Sequence, residues 1–267
     1  MEAELRVCAN CRVLVQPAAA GGSLTWEHSP EFAEKFSRSV CPSPAPGRLP
    51  SGSEARFGLA RVKTPGGDKL SLKDSIGGLE QPAGTPITVA VDGSYKLTVA
   101  DKVSKPMSWA YLSTNGLYGL GTAIVPGSVV GDQRALQAEL RAIAAALQAV
   151  GAEHPITVLT DSRSAIDFMT LWRDGHDVMP GGYNTARAGG RESTLGRLAR
   201  RAQEGGDQIT MLWVRGHTGH PLNEGADALA KMARAWSVGR LGRETVAADA
   251  RTTVIAALTR HAQTAAA

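Results

Sequence analysis

Between residues 85 and 236 the chain alternates short β-rich apolar runs with longer stripes of helical period. Thr85-Pro-Ile-Thr-Val-Ala-Val-Asp92 is one such run; it ends on an acid and turns at Gly93. Pro155 to Thr160 ends on Asp161, after which Ser162 or Ser164 is placed to cap a helix. Ile209 to Val214 is a third run, and it stops at Arg215-Gly216, where a polar loop punctuated by Gly219 and Pro221 takes over. Gln133 to Val150 carries Leu136, Leu140, Ile143, Leu147 and Val150 at spacings of three and four, the stripe of an amphipathic helix. Past the loop, a segment that begins with Asn223 and Glu224 turns Ala- and Leu-rich and predicts another helix, with Asp227 in its first turn. Strands interleaved with helices predict an α/β domain.

Each of these elements carries a carboxylate. Glu139 lies on or beside the helical stripe, one turn from both Leu136 and Ile143. A charge beside a core-facing stripe is unfavourable unless something offsets it. Two adjacent strand ends and a helix crossing over them would bring Asp92, Glu139 and Asp161 together, with Asp227 entering from the last helix. Carboxylates converging on one point raise each other's pKa values. A pair of divalent cations removes that repulsion. Mg²⁺ is bound by a few carboxylates, water and substrate phosphate, and two metals about 3.5–4 Å apart stabilise both oxygens of an in-line phosphodiester displacement. No Ser nucleophile with a His base and no Walker-type loop occurs in the chain. Singly, each signal has a bland meaning. Asp-Gly is a common turn, Thr-Asp-Ser a common cap, Glu139 an edge residue, and Gly216-His-Thr-Gly-His220 a plain loop or a metal-binding histidine pair. It is their joint order that points to chemistry.

Trp213-Val-Arg-Gly-His-Thr-Gly-His-Pro-Leu-Asn-Glu-Gly-Ala-Asp227 resembles the C-terminal signature of type 1 ribonuclease H. Val91-Asp92-Gly93-Ser94 is similar to that family's first-strand motif, Ala138-Glu139-Leu140-Arg141-Ala142-Ile143 to its helix motif, and Thr160-Asp161-Ser162 to its fourth-strand motif. The resemblance covers residues 85–236. It implies a ribonuclease H-like mixed five-stranded sheet, three antiparallel strands followed by two parallel ones, flanked by helices. It also implies metal binding by Asp92, Glu139, Asp161 and Asp227, with two Mg²⁺ per site and Mn²⁺ as the alternative. His217 would serve proton transfer or product release, and Ser94, Arg134, Arg215 and Asn223 would contact substrate. The implied reaction is endonucleolytic cleavage of the RNA strand of an RNA–DNA hybrid, leaving 5′-phosphate and 3′-hydroxyl ends. Three stretches depart from the family pattern. Tyr95 to Met107 replaces a Gly/Pro/Asn-rich turn and carries Lys96, Lys102 and Lys105. Gly131-Asp-Gln-Arg134-Ala stands where the family has Thr and Asn on a DNA phosphate, so Arg134 would take that role by charge. Met179 to Arg191 reads as a flexible loop leading into a helix with Arg197, Arg200 and Arg201, in place of a Lys- and Trp-rich protrusion. Two other functions stay open: a nuclease of the same fold acting on DNA junctions or structured RNA, and a non-catalytic nucleic-acid-binding adaptor.

Charge refines this picture only slightly. The 267 residues carry 29 basic and 25 acidic side chains, a formal net charge of +4. Four of the acids would be offset by metal, which leaves a more basic surface for phosphate contacts whose strength falls steeply with salt. All three cysteines lie in the first 41 residues, as Cys8-Ala-Asn-Cys11 and Cys41, with His28 between them. Thiolates and one imidazole suit tetrahedral, structural Zn²⁺. An odd count argues against a secreted disulfide framework, and no thioredoxin-like pattern surrounds the Cys-x-x-Cys pair. Residues 1–41 thus read as a small zinc-binding module, 42–84 as a Pro/Gly/Ser-rich linker, 85–236 as the ribonuclease H-like domain and 237–267 as a partly helical tail. The start is acidic, with no signal peptide and no run of 18 apolar residues, so the expectation is a cytoplasmic protein away from membranes.

Overall fold

A computed structural model of the chain describes residues 5–10, 14–18, 25–30, 41–47, 49, 70–95, 106–124, 132–183, 185, 190–237 and 240–265. The chain divides into two units, Met1–Asp68 and Lys69–Ala267.

In the first unit, β1 (Arg6–Val7), β2 (Leu14–Ala18) and β3 (Thr25–His28) form an antiparallel sheet in that order. Cys8 bridges to Pro46, and Gly47 donates to the Val7 carbonyl at 2.7 Å, which folds the 41–47 segment back over β1. Among the described residues of this unit Val7 packs against Leu14, and Cys8 and Val15 are also buried.

The second unit is built on a six-stranded sheet. Its strands are β4 (Ser71–Ser75), β5 (Ile87–Ser94), β6 (Pro106–Ser113), β7 (Leu117–Ile124), β8 (Ile156–Thr160) and β9 (Ile209–Trp213), in the spatial order β4-β7-β6-β5-β8-β9. β4, β7, β6 and β5 pair antiparallel; β8 joins β5, and β9 joins β8, in parallel. The sheet therefore has one strand more than the five expected. The addition, β4, comes from the stretch read as linker. Its sequence Ser-Leu-Lys-Asp-Ser is mostly exposed and too polar to signal a strand by period. Only Leu72 packs inward, while Asp74 accepts the Tyr118 hydroxyl at 2.9 Å.

Helices cover both faces. On one face lie α1 (Asp132–Val150), α2 (Arg163–Arg173) and α3 (Thr194–Gly205). The α1 stripe Leu136, Leu140, Ile143, Leu147 and Val150 is buried against Val89, Val91, Val158 and the α3 residues Leu195 and Leu198. Truncating Ile143, which is fully buried, to Ala would cost about 2–5 kcal/mol. Ser162 caps α2 by accepting from the Ala165 nitrogen at 3.3 Å, and Ser193 caps α3 in the same way at 3.0 Å. On the other face lie α4 (Pro221–Ser237) and α5 (Arg243–Ala265). Here Ala90, Ala110, Leu112 and Leu159 from the sheet meet Leu222, Leu229 and Ala233 of α4, and Val246, Ala250, Val254 and Ala257 of α5 close the layer. Period 2 in the strands thus sends odd and even residues of β5 to different helical layers. The 179–183 part of the Met179–Arg191 stretch, expected as a flexible loop, is tied down, while 184 and 186–189 lie outside the described residues. Gly181 donates to the Gln133 side chain at 2.8 Å, and the Tyr183 hydroxyl accepts from the Leu195 nitrogen at 3.1 Å. No helix among the described residues is long and apolar enough to cross a membrane.

Candidate active site

The parallel register of β5 and β8 places Ala90 opposite Leu159. Two residues further on, Asp92 and Asp161 come to the same end of neighbouring strands, whose spacing is about 4.8 Å. Asp92 keeps 9% of its surface and is effectively buried; Asp161 is half-buried. Glu139, 8% exposed, reaches the same spot from the third turn of α1. Gly93 makes that approach feasible, because a Cβ there would overlap the Glu139 backbone nitrogen. One oxygen from each of Asp92, Glu139 and Asp161 lies within 4.8 Å of the others.

The fourth acid stands slightly apart. Asp227, on α4, groups with His217 and Glu224 in a second set of ligand-type atoms within 4.8 Å of one another. Its carboxylate is 4.0 Å from His217 Nδ1 and ion-paired with Lys231, one turn along α4. Its charge still reaches the main cluster. Burial above all, then the neighbouring Asp227 and Asp161 charges, pushes the Asp92 carboxyl up to about 7, against the pull of Lys231 and Arg234. Burial followed by Asp92 and Asp161 holds Glu139 well above the usual carboxylate range, although the Gly93 N–H favours its charged form. Asp161 is raised by burial and by Asp227, with its own backbone N–H and His217 opposing. Glu139 Oε2 is buried without a hydrogen-bond partner among the described residues. A buried, mutually repelling set of hard oxygen donors with one oxygen unsatisfied fits a hard divalent cation such as Mg²⁺.

His217 projects from the loop between β9 and α4. Its backbone is left-handed, φ 56, and its side chain is 72% exposed. The loop around it is pinned: the Thr218 hydroxyl donates to the Arg215 carbonyl at 2.7 Å, and the Gly219 N–H to Glu224 at 3.3 Å. Trp213 steadies the neighbouring strand end by donating its indole N–H to the Asp161 carbonyl at 3.1 Å, while Arg163 lies 4.3 Å over its ring.

The residues expected at the substrate lie in different settings. Ser94 is buried and accepts a 2.7 Å hydrogen bond from Arg234. Arg134 is also buried; its guanidinium donates to the Tyr95 hydroxyl at 2.6 Å and lies 5.5 Å from that ring's centre. Arg215 is exposed, and Asn223 is buried at the start of α4. The α3 arginines have local partners: Arg200 pairs with Glu192 at 2.7 Å, Arg197 donates to the Glu192 carbonyl, and Arg201 to the Gly151 carbonyl. Arg187, Lys96, Lys102 and Lys105 lie outside the described residues. Two cations that the sequence reading passed over, Lys231 and Arg234, face the acids from α4. Their spacing of four and seven residues from Asp227 is the signal that would have found them.

In the first unit, Cys8 Sγ and Cys41 Sγ are 3.7 Å apart, and Cys41 Sγ is 3.7 Å from His28 Nε2. The three form a group with metal-ligand chemistry. Cys11, the fourth ligand expected, lies outside the described residues.

The sequence profile of the RNase H family matches residues 84–235. Ribonuclease H of Anaeromyxobacter dehalogenans is 36% identical over 115 residues, 41% of this chain and 59% of that protein. Ribonuclease H of Granulibacter bethesdensis is 38% identical over 98 residues, 36% of this chain and 63% of that protein. The chain thus spans about three fifths of the length of these curated relatives. Among solved structures, LC9-RNase H1, described as a type 1 RNase H with the type 2 active-site motif, aligns with a TM-score of 0.39 at 22% identity, covering 67% of this chain and 87% of that one; so loose a likeness carries no weight.

Proposed function

The chain belongs to the ribonuclease H family, and from that membership we propose that it is an endoribonuclease hydrolysing the RNA strand of RNA–DNA hybrids with two divalent cations. The observation that carries this reading is the buried cluster of Asp92, Glu139 and Asp161, with one Glu139 oxygen left unsatisfied. Close carboxylates of this kind either keep protons or take up a cation. Asp92, Glu139, Asp161 and Asp227 would hold the cations, Mg²⁺ or Mn²⁺. Once bound there, Mg²⁺ supplies positive charge to the attacking and leaving oxygens of an in-line displacement at phosphorus.

The chain's own groups have distinct tasks in this scheme. Asp92 and Asp161, on the ends of rigid parallel strands, fix the position of the scissile phosphate. Glu139 completes the cage from α1. Asp227 is held by Lys231 and is delivered from α4, a separate element. His217, exposed on its loop and 4.0 Å from Asp227, would serve proton transfer at the reacting phosphate or product release. Ser94, Arg134 and Arg215 would contact substrate, as would Asn223, which is buried in the first turn of α4. Labelled hybrid, double-stranded DNA and double-stranded RNA, each with Mg²⁺ and with chelator, test the assignment. Cleavage of the RNA strand of the hybrid alone, abolished by chelator and by Asp92→Asn, is expected. Preferential cutting of DNA junctions or structured RNA would move the chain to another substrate class, and binding without cutting would make it an adaptor.

For the N-terminal unit, the reading is a structural Zn²⁺ held by Cys8, Cys11, His28 and Cys41. A zinc tetrahedron with Zn–S near 2.3 Å has S–S edges of about 3.8 Å, and the Cys8–Cys41 separation of 3.7 Å suits one. Thiolate ligation needs reduced cysteines, which favours the cytoplasm. One zinc per purified chain, lost in Cys41→Ser, is the expected metal content.

A further inference from the structure

Arg234 sits on α4 seven residues after Asp227 and three after Lys231, so all three share the helix face turned to the acids. Lys231 is spent on Asp227. Arg234 is not paired in this way: among the described residues its guanidinium donates to the Ser94 hydroxyl, at 2.7 Å, and no carboxylate lies within ion-pairing distance. It is half-buried, and Ser94 is 8% exposed. Ser94 occupies one of its five donors, and none of the others is buried without a partner, so they stay open to an incoming anion. Ser94 lies two residues beyond Asp92 on β5, hence on the same face of the sheet and about 7 Å further along it. That displacement is comparable to the step between neighbouring phosphates on one strand.

We propose that Arg234, steadied by Ser94, binds a backbone phosphate of the strand being cut, adjacent to the phosphate held at the acid cluster. The proposal rests on the nuclease reading above. Its chemistry is a charge-assisted, fork-shaped contact from the guanidinium to two phosphate oxygens. The rival role is internal: a fixed counter-charge for the acids, since Arg234 does draw the Asp92 carboxyl down. The two roles separate on salt. A phosphate contact releases counterions on binding, and each one contributes close to one unit to the slope of log affinity against log salt. A counter-charge buried in the apo site contributes nothing to that slope.

The experiment uses the full chain carrying Asp161→Asn, so that hybrid is bound and not cut. Affinity for a short synthetic RNA–DNA hybrid is measured in Mg²⁺ from about 50 to 200 mM KCl. Adding Arg234→Gln should lower the slope by roughly one unit, while Arg234→Lys should keep the slope and weaken binding, because it keeps the charge and loses the fork. Arg173→Gln, in the last turn of α2 and so about 16 Å along that helix from Asp161, controls for net charge and should leave the slope alone. The salt dependence of kcat/KM with Asp161 intact gives a second reading of the same difference. An Arg234→Gln slope equal to its parent's overturns the proposal and leaves the nuclease reading standing. A chain that neither cuts nor binds hybrid overturns both.

Discussion

Gly216 abuts Asp161 so closely that a Cβ at position 216 would overlap the Asp161 Oδ2 oxygen. The loop bearing His217 is therefore packed onto the acid cluster with no room for a methyl group. In Gly216→Ala either the loop or the carboxylate must move. Misplacement by about 1 Å can lower turnover on the order of 10²-fold. Steady-state cleavage of hybrid should show that loss, while the melting temperature stays within the small range of surface substitutions. Wild-type turnover in Gly216→Ala would mean that the loop yields freely.

The acid cluster gives the metal-free protein an unusual pH dependence. Asp92 titrates near 3.8 when unfolded and near 7 in the fold. Between those values the folded chain keeps a proton that the unfolded chain has lost, so stability falls as pH rises from about 4 to 7 and then levels off. Glu139 acts in the same direction. Thermal melts in chelator should trace this decline, and Asp92→Asn should flatten it and raise the melting temperature at pH 8. Melts that rise across the window would contradict the burial of these carboxyls.

The same protons must leave when cations bind. Near pH 6.5, Mg²⁺ binding should release a fraction of a proton or more per chain. Calorimetric titrations in buffers of different ionisation enthalpy measure it directly. The share of that release owed to Asp92, read as the difference from Asp92→Asn, should fade by pH 8.5, where Asp92 is already ionised.

His217 combines an exposed imidazole with a left-handed backbone. His217→Ala should slow turnover roughly ten- to a thousand-fold and leave hybrid affinity little changed. His217→Gly should be equally slow, yet more stable than the Ala variant by about 1 kcal/mol, because glycine has no Cβ to strain at positive φ. Chemical denaturation of the pair separates the backbone role from the chemical one. Equal stabilities would argue that the loop relaxes out of this conformation.

Much of this architecture is readable from residue order alone, and the parts that are not share a cause. The acids stand out because each one terminates or interrupts a strong apolar pattern: Asp92 and Asp161 end β-runs, and Glu139 sits beside a helical stripe. β4 escaped the sequence reading because an edge strand has one paired side and one wet side, and Ser-Leu-Lys-Asp-Ser looks like loop. Arg234 escaped it because a lone arginine on an amphipathic helix is ordinary, and only its partner Ser94, 140 residues away, makes it informative. Arg134 is expected at a phosphate by charge alone; its contact with Tyr95 is a tertiary fact that spacing does not encode.

Arg251 joins two pieces of chain that the family pattern, residues 84–235, does not include. From α5 it reaches the Ser75 carbonyl at 3.4 Å and lies 3.9 Å from Asp74 on β4. A fragment trimmed to the family limits would lose both ends of that clasp. The β7 edge would then offer unpaired amides, and α4 would bare the surface now under Val246, Ala250, Val254 and Ala257. An open edge beside an oily patch invites self-association. The workable fragment for making this domain in isolation therefore starts before Leu70 and runs past Ala257. A version cut at residue 80 would be expected to clump, whatever the state of its acids.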